Sequence, residues 1–237
     1  MKSVYTLREQ IDNNGFVIAE NIFTIEEINS IILAISSANQ EKPTFRKTSD
    51  LFAIRQFLKE LPETRELIFT KNLISLISDL FGAGYFVVKS IYFDKPGQSN
   101  WFVAYHQDLT ISIDKKTDIE GFSSWTVKQD QFAVQPPVHI LENNFTLRIH
   151  LDDTDENNGA LKVIPSSHLN GVHKLEVKPK NEVACKVKKG GIMIMRPLLF
   201  HASDKTTNGE KRRVIHIEFS KSALPSPLEW SERIDLA

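Results

Sequence analysis

The stretch Leu147-Arg148-Ile149-His150-Leu151-Asp152 decides the fold. Aliphatic and polar residues alternate through it. Successive side chains of a β-strand point to opposite faces, so the stretch reads as a strand with two unlike sides. Leu147, Ile149 and Leu151 require a hydrophobic layer, while Arg148, His150 and Asp152 share the other side. The pattern alone leaves two places for that polar side: a water-washed sheet surface or the interior of a β-roll. A buried arginine is costly unless an anion pairs with it, so the interior placement implies a site.

Working outward, short β-branched and aromatic segments broken by Pro, Gly and Asn mark further strands. They are Tyr85 to Phe93, Phe102 to Asp108, Ala160 to Ile164, Gly191 to Met195 (after the turn at Gly190-Gly191) and Arg213 to Phe219. No regular strand–helix alternation runs through them, which argues against a doubly wound parallel sheet. Upstream, Gly15-Phe16-Val17-Ile18 reads as a strand, and Thr24-Ile25-Glu26-Glu27 is a capping box. Ile25, Ile28, Ile31, Ile32 and Ile35 follow it at helical spacing. Ser49 to Leu61, closed by Pro62, and Thr70 to Phe81, stopped by Gly82, read as two more helices. The expected fold is an all-β core with flanking α-helices, a double-stranded β-helix (jelly roll, cupin-like). It forms one domain over residues 1–237, with helices concentrated in 1–82.

Composition narrows the partners. A 41% hydrophobic, 25% charged chain of 237 residues is an ordinary globular protein. Its net charge of -1 argues against nucleic-acid binding. The lysines between Lys174 and Lys189 are interrupted by acidic and apolar residues, as on a solvated surface. No apolar run approaches the roughly 20 residues of a membrane helix, and Met1-Lys2-Ser3-Val4-Tyr5 opens no secretory signal. The single cysteine, Cys185, excludes an intramolecular disulfide and a Cys-rich zinc site. A cytoplasmic location without membrane association is the expectation.

The chemistry concentrates at Tyr105-His106-Gln107-Asp108. On one strand His106 and Asp108 share a side and can bind the same ion. Two histidines and one carboxylate on one face of a metal, with open positions opposite, is the arrangement of non-haem Fe(II) oxygenases. The spacing recurs at His150-Leu151-Asp152 and, with a different carboxylate, at His216-Ile217-Glu218. Asp152 opens the polar run to Gly159, where Asp152 and Asp153 serve as acceptors for turn N–H groups, so that pair is demoted. His168, after Pro165-Ser166-Ser167, reads as a hydrogen-bonded loop residue. His201 ends the apolar segment Pro197-Leu198-Leu199-Phe200, either as a core histidine bonded to backbone or as a third ligand. Eleven residues later comes Arg212. If Ile215, Ile217 and Phe219 face the hydrophobic layer, Arg212, Val214 and His216 face inward, where a guanidinium can grip a carboxylate by two parallel hydrogen bonds. A slip of one residue would give that place to Arg213.

The ordered set of motifs resembles the phytanoyl-CoA dioxygenase family of Fe(II)/2-oxoglutarate oxygenases. The likeness covers Gly15-Phe16-Val17-Ile18, then Phe93-Asp94-Lys95-Pro96 ahead of His106-Gln107-Asp108. It continues through Asn158-Gly159-Ala160-Leu161, Pro165-Ser166-Ser167-His168 and Gly190-Gly191 to His201 and Arg212. It implies that His106, Asp108 and His201 bind Fe(II) and that Arg212, assisted by Ser203, holds the distal carboxylate of 2-oxoglutarate. Arg148 stands where the family has a cosubstrate contact, often aromatic, and Lys89 is a weaker candidate of the same kind. Either can serve the substrate instead. The implied reaction consumes molecular oxygen, releases succinate and carbon dioxide, and hydroxylates a substrate. Related halogenases carry a small residue in place of Asp108, so the carboxylate favours oxygenation.

Ser112 to Val138 has little obvious regular structure and reads as a lid. Its Trp125 and Gln135 are the candidate substrate contacts, although Trp125 equally suits pinning the segment to the body. Arg148 and Lys89 beside Arg212 suggest a small acidic substrate, such as an amino acid or other carboxylate. No basic patch serves the phosphates of a CoA thioester. The rival readings are a non-catalytic, metal-binding cupin-like module and an oxygenase acting on a protein side chain.

Overall fold

A computed structural model describes residues 4–38, 44–48, 52–97, 101–128, 131–174 and 181–236. The chain begins with α1 (Val4–Asn14), β1 (Phe16–Ala19) and α2 (Ile25–Ser36), then β2 (Phe45–Lys47) and β3 (Phe52–Arg55). Three helices follow: α3 (Phe57–Glu60), α4 (Thr64–Ile68) and α5 (Lys71–Phe81). The next strands are β4 (Phe86–Lys95), β5 (Val103–His106), β6 (Ile111–Ile113), β7 (Ser123–Lys128) and β8 (Gln131–Gln135). After α6 (Val138–Glu142) come β9 (Asn144–His150), β10 (Leu161–Val163), β11 (Val183–Ala184) and β12 (Ile192–Met195). The last are β13 (His201–Ser203), β14 (Arg212–Ser220) and β15 (Ile234–Asp235).

The strands form the two antiparallel sheets of a jelly roll. The larger has the order β1-β12-β9-β14-β4-β3-β2, with β15 also beside β4, and the smaller β11-β10-β13-β5. Leu147, Ile149, Ile215, Ile217 and Phe219 leave the larger sheet on the helical side. They join Ile28, Ile31, Leu73, Ile77 and Leu80 in the principal core. The opposite faces of β9 and β14 turn toward the smaller sheet. Leu161, Val163, Cys185, Met193 and Met195 form a second cluster. The site adjoins it, with Leu161 common to both.

The helical scaffold forms where local signals are strong. Thr24 and Glu27 make both hydrogen bonds of the capping box at α2. Thr70 caps α5, and Gly82, at φ +83°, ends it. Ser49 to Leu61 departs from the helical expectation: its first three residues lie outside the described ones, and Phe52–Arg55 is strand β3, paired with β4. Among the described residues of that segment, only Phe57–Glu60 is helical. The pairing buries Ala53 and Ile54 against neighbouring strands, so tertiary context overrides local propensity. Helix α1 carries just two buried anchors, Leu7 and Ile11, too sparse a stripe to announce it in sequence.

The segment 112–138 is likewise not irregular. Strands β6, β8 and β7 form a three-stranded antiparallel sheet. Ile111, Ile113 and Val134 pack it onto Phe86, Val88, Leu198 and Trp230. Among the described residues, no helix is long and apolar enough to cross a membrane.

Candidate metal centre and its cavity

His106 and His201 are direct cross-strand partners on β5 and β13, which puts both imidazoles on the inner face of the smaller sheet. Strand β5 ends at His106, so Asp108 is not placed by strand alternation as expected. Gln107 positions it instead. The Gln107 carboxamide donates to the carbonyls of Leu198 (2.7 Å) and Gly171 (2.8 Å), anchoring that side chain on the far side. The Asp108 N–H donates to the Pro197 carbonyl at 2.9 Å, and the carboxylate swings back toward the histidines.

The three side chains offer ligand atoms that all lie within 4.8 Å of one another. Asp108 Oδ1 is 3.7 Å from His106 Nε2, and Oδ2 is 3.7 Å from His201 Nε2. Those separations exceed a hydrogen bond, and Asp108 Oδ2 is buried without a partner. Each imidazole is tied down on its other side. Nδ1 of His106 donates to the Ala104 carbonyl and Nδ1 of His201 to the Leu199 carbonyl, both at 2.9 Å. The proton therefore sits on Nδ1, and the Nε2 lone pair points at the carboxylate, as metal-binding histidines require. Burial holds His201 below the ordinary histidine pKa, in the neutral form that ligates. Two lone pairs and an unpartnered carboxylate oxygen fit a divalent cation.

Around them lies a cavity of about 260 Å³ lined also by Lys89, Ile91, Phe93, Trp101, Arg148, Ser203, Arg212, His216 and Glu218. Arg212 and Arg148 are 5% and 8% exposed, and neither has a carboxylate partner among the described residues. Arg212 gives one N–H to the Gly159 carbonyl, while its Nε, the Arg148 Nε and the Ser203 Oγ are buried and unpartnered. Burial pushes Arg212 down to about 9, with the Arg148 charge adding to it, and pushes Arg148 down to about 10. The rival Arg213 is occupied elsewhere. Its Nε and Nη2 clasp Asp152 at 2.9 and 2.7 Å. That clasp also removes Asp152 from the second histidine–aspartate pair, and His150 Nδ1 bonds Thr154 Oγ1 at 2.8 Å.

A polar chain crosses the cavity wall. Arg148 donates to His216 Nδ1 at 3.1 Å, so the His216 proton lies on Nε2, which donates to Glu218 Oε1 at 3.1 Å. Lys89 Nζ donates to the same oxygen at 2.7 Å. Burial opposes charge on both ends, yet the neighbours together outweigh it: Glu218, with Asp108, raises Lys89, and Lys89, with His216, lowers Glu218. Lys89 therefore adds no net positive charge, which corrects the sequence expectation. The histidine–glutamate pair at 216 and 218 is consumed by this chain and is no second metal site. Sequence reasoning missed Glu218 as cavity wall, although the alternation that turns Arg212 inward also turns Glu218 inward. It missed Lys95 too, whose Nζ is buried beside Arg212 and donates to the Asp204 carbonyl. Burial, with the Arg212 charge, pushes that ammonium down to about 8. His168 is hydrogen-bonded as expected, to the Asp12 carbonyl at 3.2 Å, but from a short 3-10 turn (Ser167–Asn170) rather than a loop. Trp125 packs into the cluster beneath the three-stranded sheet, and neither it nor Gln135 lines the cavity.

The sequence model of the phytanoyl-CoA dioxygenase family matches residues 11–214. The chain belongs to the phytanoyl-CoA dioxygenase family. This family member is accordingly an oxygenase dependent on iron and 2-oxoglutarate. No curated protein matches it significantly in sequence. Solved structures share the fold at low identity. AviO1 from Streptomyces viridochromogenes Tue57 is 17% identical at a TM-score of 0.67, covering 95% of this chain and 98% of its own. The non-haem, α-ketoglutarate-dependent epimerase SnoN from nogalamycin biosynthesis is 13% identical at 0.70, covering 98% and 94%. HygX from Streptomyces hygroscopicus, solved with nickel, 2-oxoglutarate and hygromycin B, is 13% identical at 0.65, covering 91% and 87%.

Proposed function

We propose that this phytanoyl-CoA dioxygenase family member hydroxylates a small acidic organic substrate. His106, Asp108 and His201 hold the iron, and Arg212 with Ser203 Oγ receives the distal carboxylate of 2-oxoglutarate. Bound there, ferrous iron would supply the chemistry by which molecular oxygen is divided between 2-oxoglutarate, oxidised to succinate and carbon dioxide, and the substrate, which gains the other oxygen atom as a hydroxyl.

The protein's own contribution is positional and electrostatic. The carbonyl tethers fix both imidazoles before any ligand arrives. Ser203 Oγ and Arg212 Nε are donors without acceptors, and a carboxylate would relieve both. Phe93, Ile91, Trp101 and Leu161 give the cavity apolar walls that limit water around the reacting carbon.

The observation that carries the substrate class is the second guanidinium. One buried arginine suffices for the cosubstrate, and Lys89 is neutralised by Glu218. Arg148 remains as a buried cation without an ion-pair partner among the described residues and with Nε unpartnered, which favours an anionic substrate. A cavity of about 260 Å³ lies at the low end of ligand-site sizes and must also hold 2-oxoglutarate, so the substrate is small.

Two experiments test the reading. Anaerobic addition of Fe(II) and 2-oxoglutarate should produce the charge-transfer band of the chelate, and His201→Ala should abolish it. Small carboxylates should then stimulate succinate release. If none raises turnover above the uncoupled background, the acidic-substrate assignment is wrong even where the band is present.

A further inference from the structure

We propose that the Lys89–Glu218 pair recognises a hydroxyl group on the substrate, making the natural ligand a hydroxyl-bearing carboxylate. This deepens the reading above and rests on it. The argument starts from which atoms of the pair are occupied. Glu218 Oε1 accepts two hydrogen bonds, from Lys89 Nζ and from His216 Nε2. Glu218 Oε2 accepts none from the described residues, and of the three N–H bonds on Lys89 Nζ only one has a partner there. Both side chains line the cavity that contains the metal ligands. The wall therefore presents a free anionic acceptor beside a free cationic donor.

Charge decides among substituents that could sit there. A hydroxyl oxygen can accept from Lys89 while its proton goes to Glu218 Oε2, satisfying both without adding charge. An ammonium satisfies Glu218 but lies against the Lys89 ammonium. A second carboxylate satisfies Lys89 but lies against Glu218. An unsubstituted carbon leaves both groups desolvated and unpaired, the arrangement by which a polar site rejects an analogue lacking its hydroxyl.

Geometry places the carboxylate of the same molecule. Arg148 and His216 are cross-strand partners on β9 and β14, and His216 bridges Arg148 to Glu218. The hydroxyl-binding pair and the unpaired Arg148 Nε are thus one histidine apart along a single wall. A substrate carboxylate on Arg148 and a hydroxyl between Lys89 and Glu218 would fix two points of a short chain against the wall beside the metal ligands.

The test uses matched sets of acids with two to eight carbons: the hydroxy acids, their amino counterparts and the unsubstituted parents. Binding is measured by calorimetry with anaerobic protein loaded with Fe(II) and 2-oxoglutarate, and the charge-transfer band is recorded on the same sample. At least one hydroxy acid should bind about tenfold or more tighter than both its amino and unsubstituted counterparts, the scale of one hydrogen bond to a charged group. Glu218→Gln, which turns the free acceptor into a donor, and Lys89→Met should each erase that preference and leave the band intact. The proposal is overturned if no hydroxy acid binds, if no hydroxyl preference exists, or if the variants lower the melting temperature while weakening all three classes equally. Absence of the band in the unmodified protein would instead sink the oxygenase reading on which this one rests.

Discussion

Replacing Arg212 by lysine keeps a positive charge in the cavity and removes the planar fork. In the native site the side chain spends one N–H on the Gly159 carbonyl and leaves Nε without an acceptor. A carboxylate docked there gains charge-assisted hydrogen bonds that a single ammonium, on a differently shaped stem, does not reproduce. Losing one such bond costs about 1.5–3 kcal/mol, so the dissociation constant for 2-oxoglutarate should rise about 10- to 150-fold. The assay is anaerobic titration of 2-oxoglutarate into the Fe(II) protein, following the charge-transfer band, with the band's final intensity reporting an intact metal centre. Arg213→Lys is the control. Its fork is already taken by Asp152, away from the cavity, so it should lower stability and leave the titration unmoved. A normal titration in Arg212→Lys, or a weakened one confined to Arg213→Lys, would refute the assignment and indicate that the functional register of β14 is shifted by one residue.

Three further outcomes follow from the packing and charges. Phe145 is fully buried and stacked between Phe81 (3.9 Å) and Phe219 (4.7 Å), so Phe145→Ala should cost about 3–5 kcal/mol in urea denaturation. Its distance from the cavity face predicts unchanged cosubstrate affinity in whatever fraction stays folded. Gly159 sits at φ +81°, where a Cβ would lie 2.6 Å from the Asp204 carbonyl oxygen, so Gly159→Ala should lower the melting temperature and also weaken 2-oxoglutarate binding by displacing the carbonyl that holds Arg212. His150 is held well below the ordinary histidine range by burial and by the Arg148 and Arg212 charges. The unfolded chain takes up a proton near pH 6.5 that the folded chain refuses, so stability falls as pH drops through that value. Between pH 7.5 and 5.5 this group should remove about 1.4 kcal/mol, measurable by urea denaturation as a smaller pH slope in His150→Gln. An identical slope in the variant would count against a neutral buried imidazole.

Legibility in the sequence tracked how local each signal is. The capping box at Thr24, the stop at Gly82 and the two-faced pattern from Leu147 to Leu151 depend on neighbours within a turn or a strand and are realised, whereas Asp152 lies beyond the end of β9 and is clasped by Arg213. The misread segments depend on distant partners. Phe52–Arg55 becomes a strand because β4, some forty residues later, offers an edge. The sheet in 112–138 joins segments with few apolar residues each, and a cluster including Trp230 secures it. Spacing picks out His106 and Asp108 as a pair, but for an incomplete reason, since Gln107, pinned to two carbonyls, aims Asp108 after the strand has ended; His201 joins them only through the family resemblance. Nothing near Lys89 in the sequence marks it as paired, because its partner Glu218 is set opposite it only by the register of β14 on β4.

On β9 and β14 residue parity separates two kinds of constraint. Odd positions from 145 to 149 and from 215 to 219 carry the apolar layer beneath the helices. Among the even ones, Arg148, Arg212, His216 and Glu218 line the cavity. Descendants of this chain can exchange even-numbered residues, and with them their choice of ligand, while inheriting an untouched hydrophobic layer. A one-residue deletion in either strand offers no such freedom, since it would drive the guanidiniums into oil and the isoleucines into the reaction chamber together.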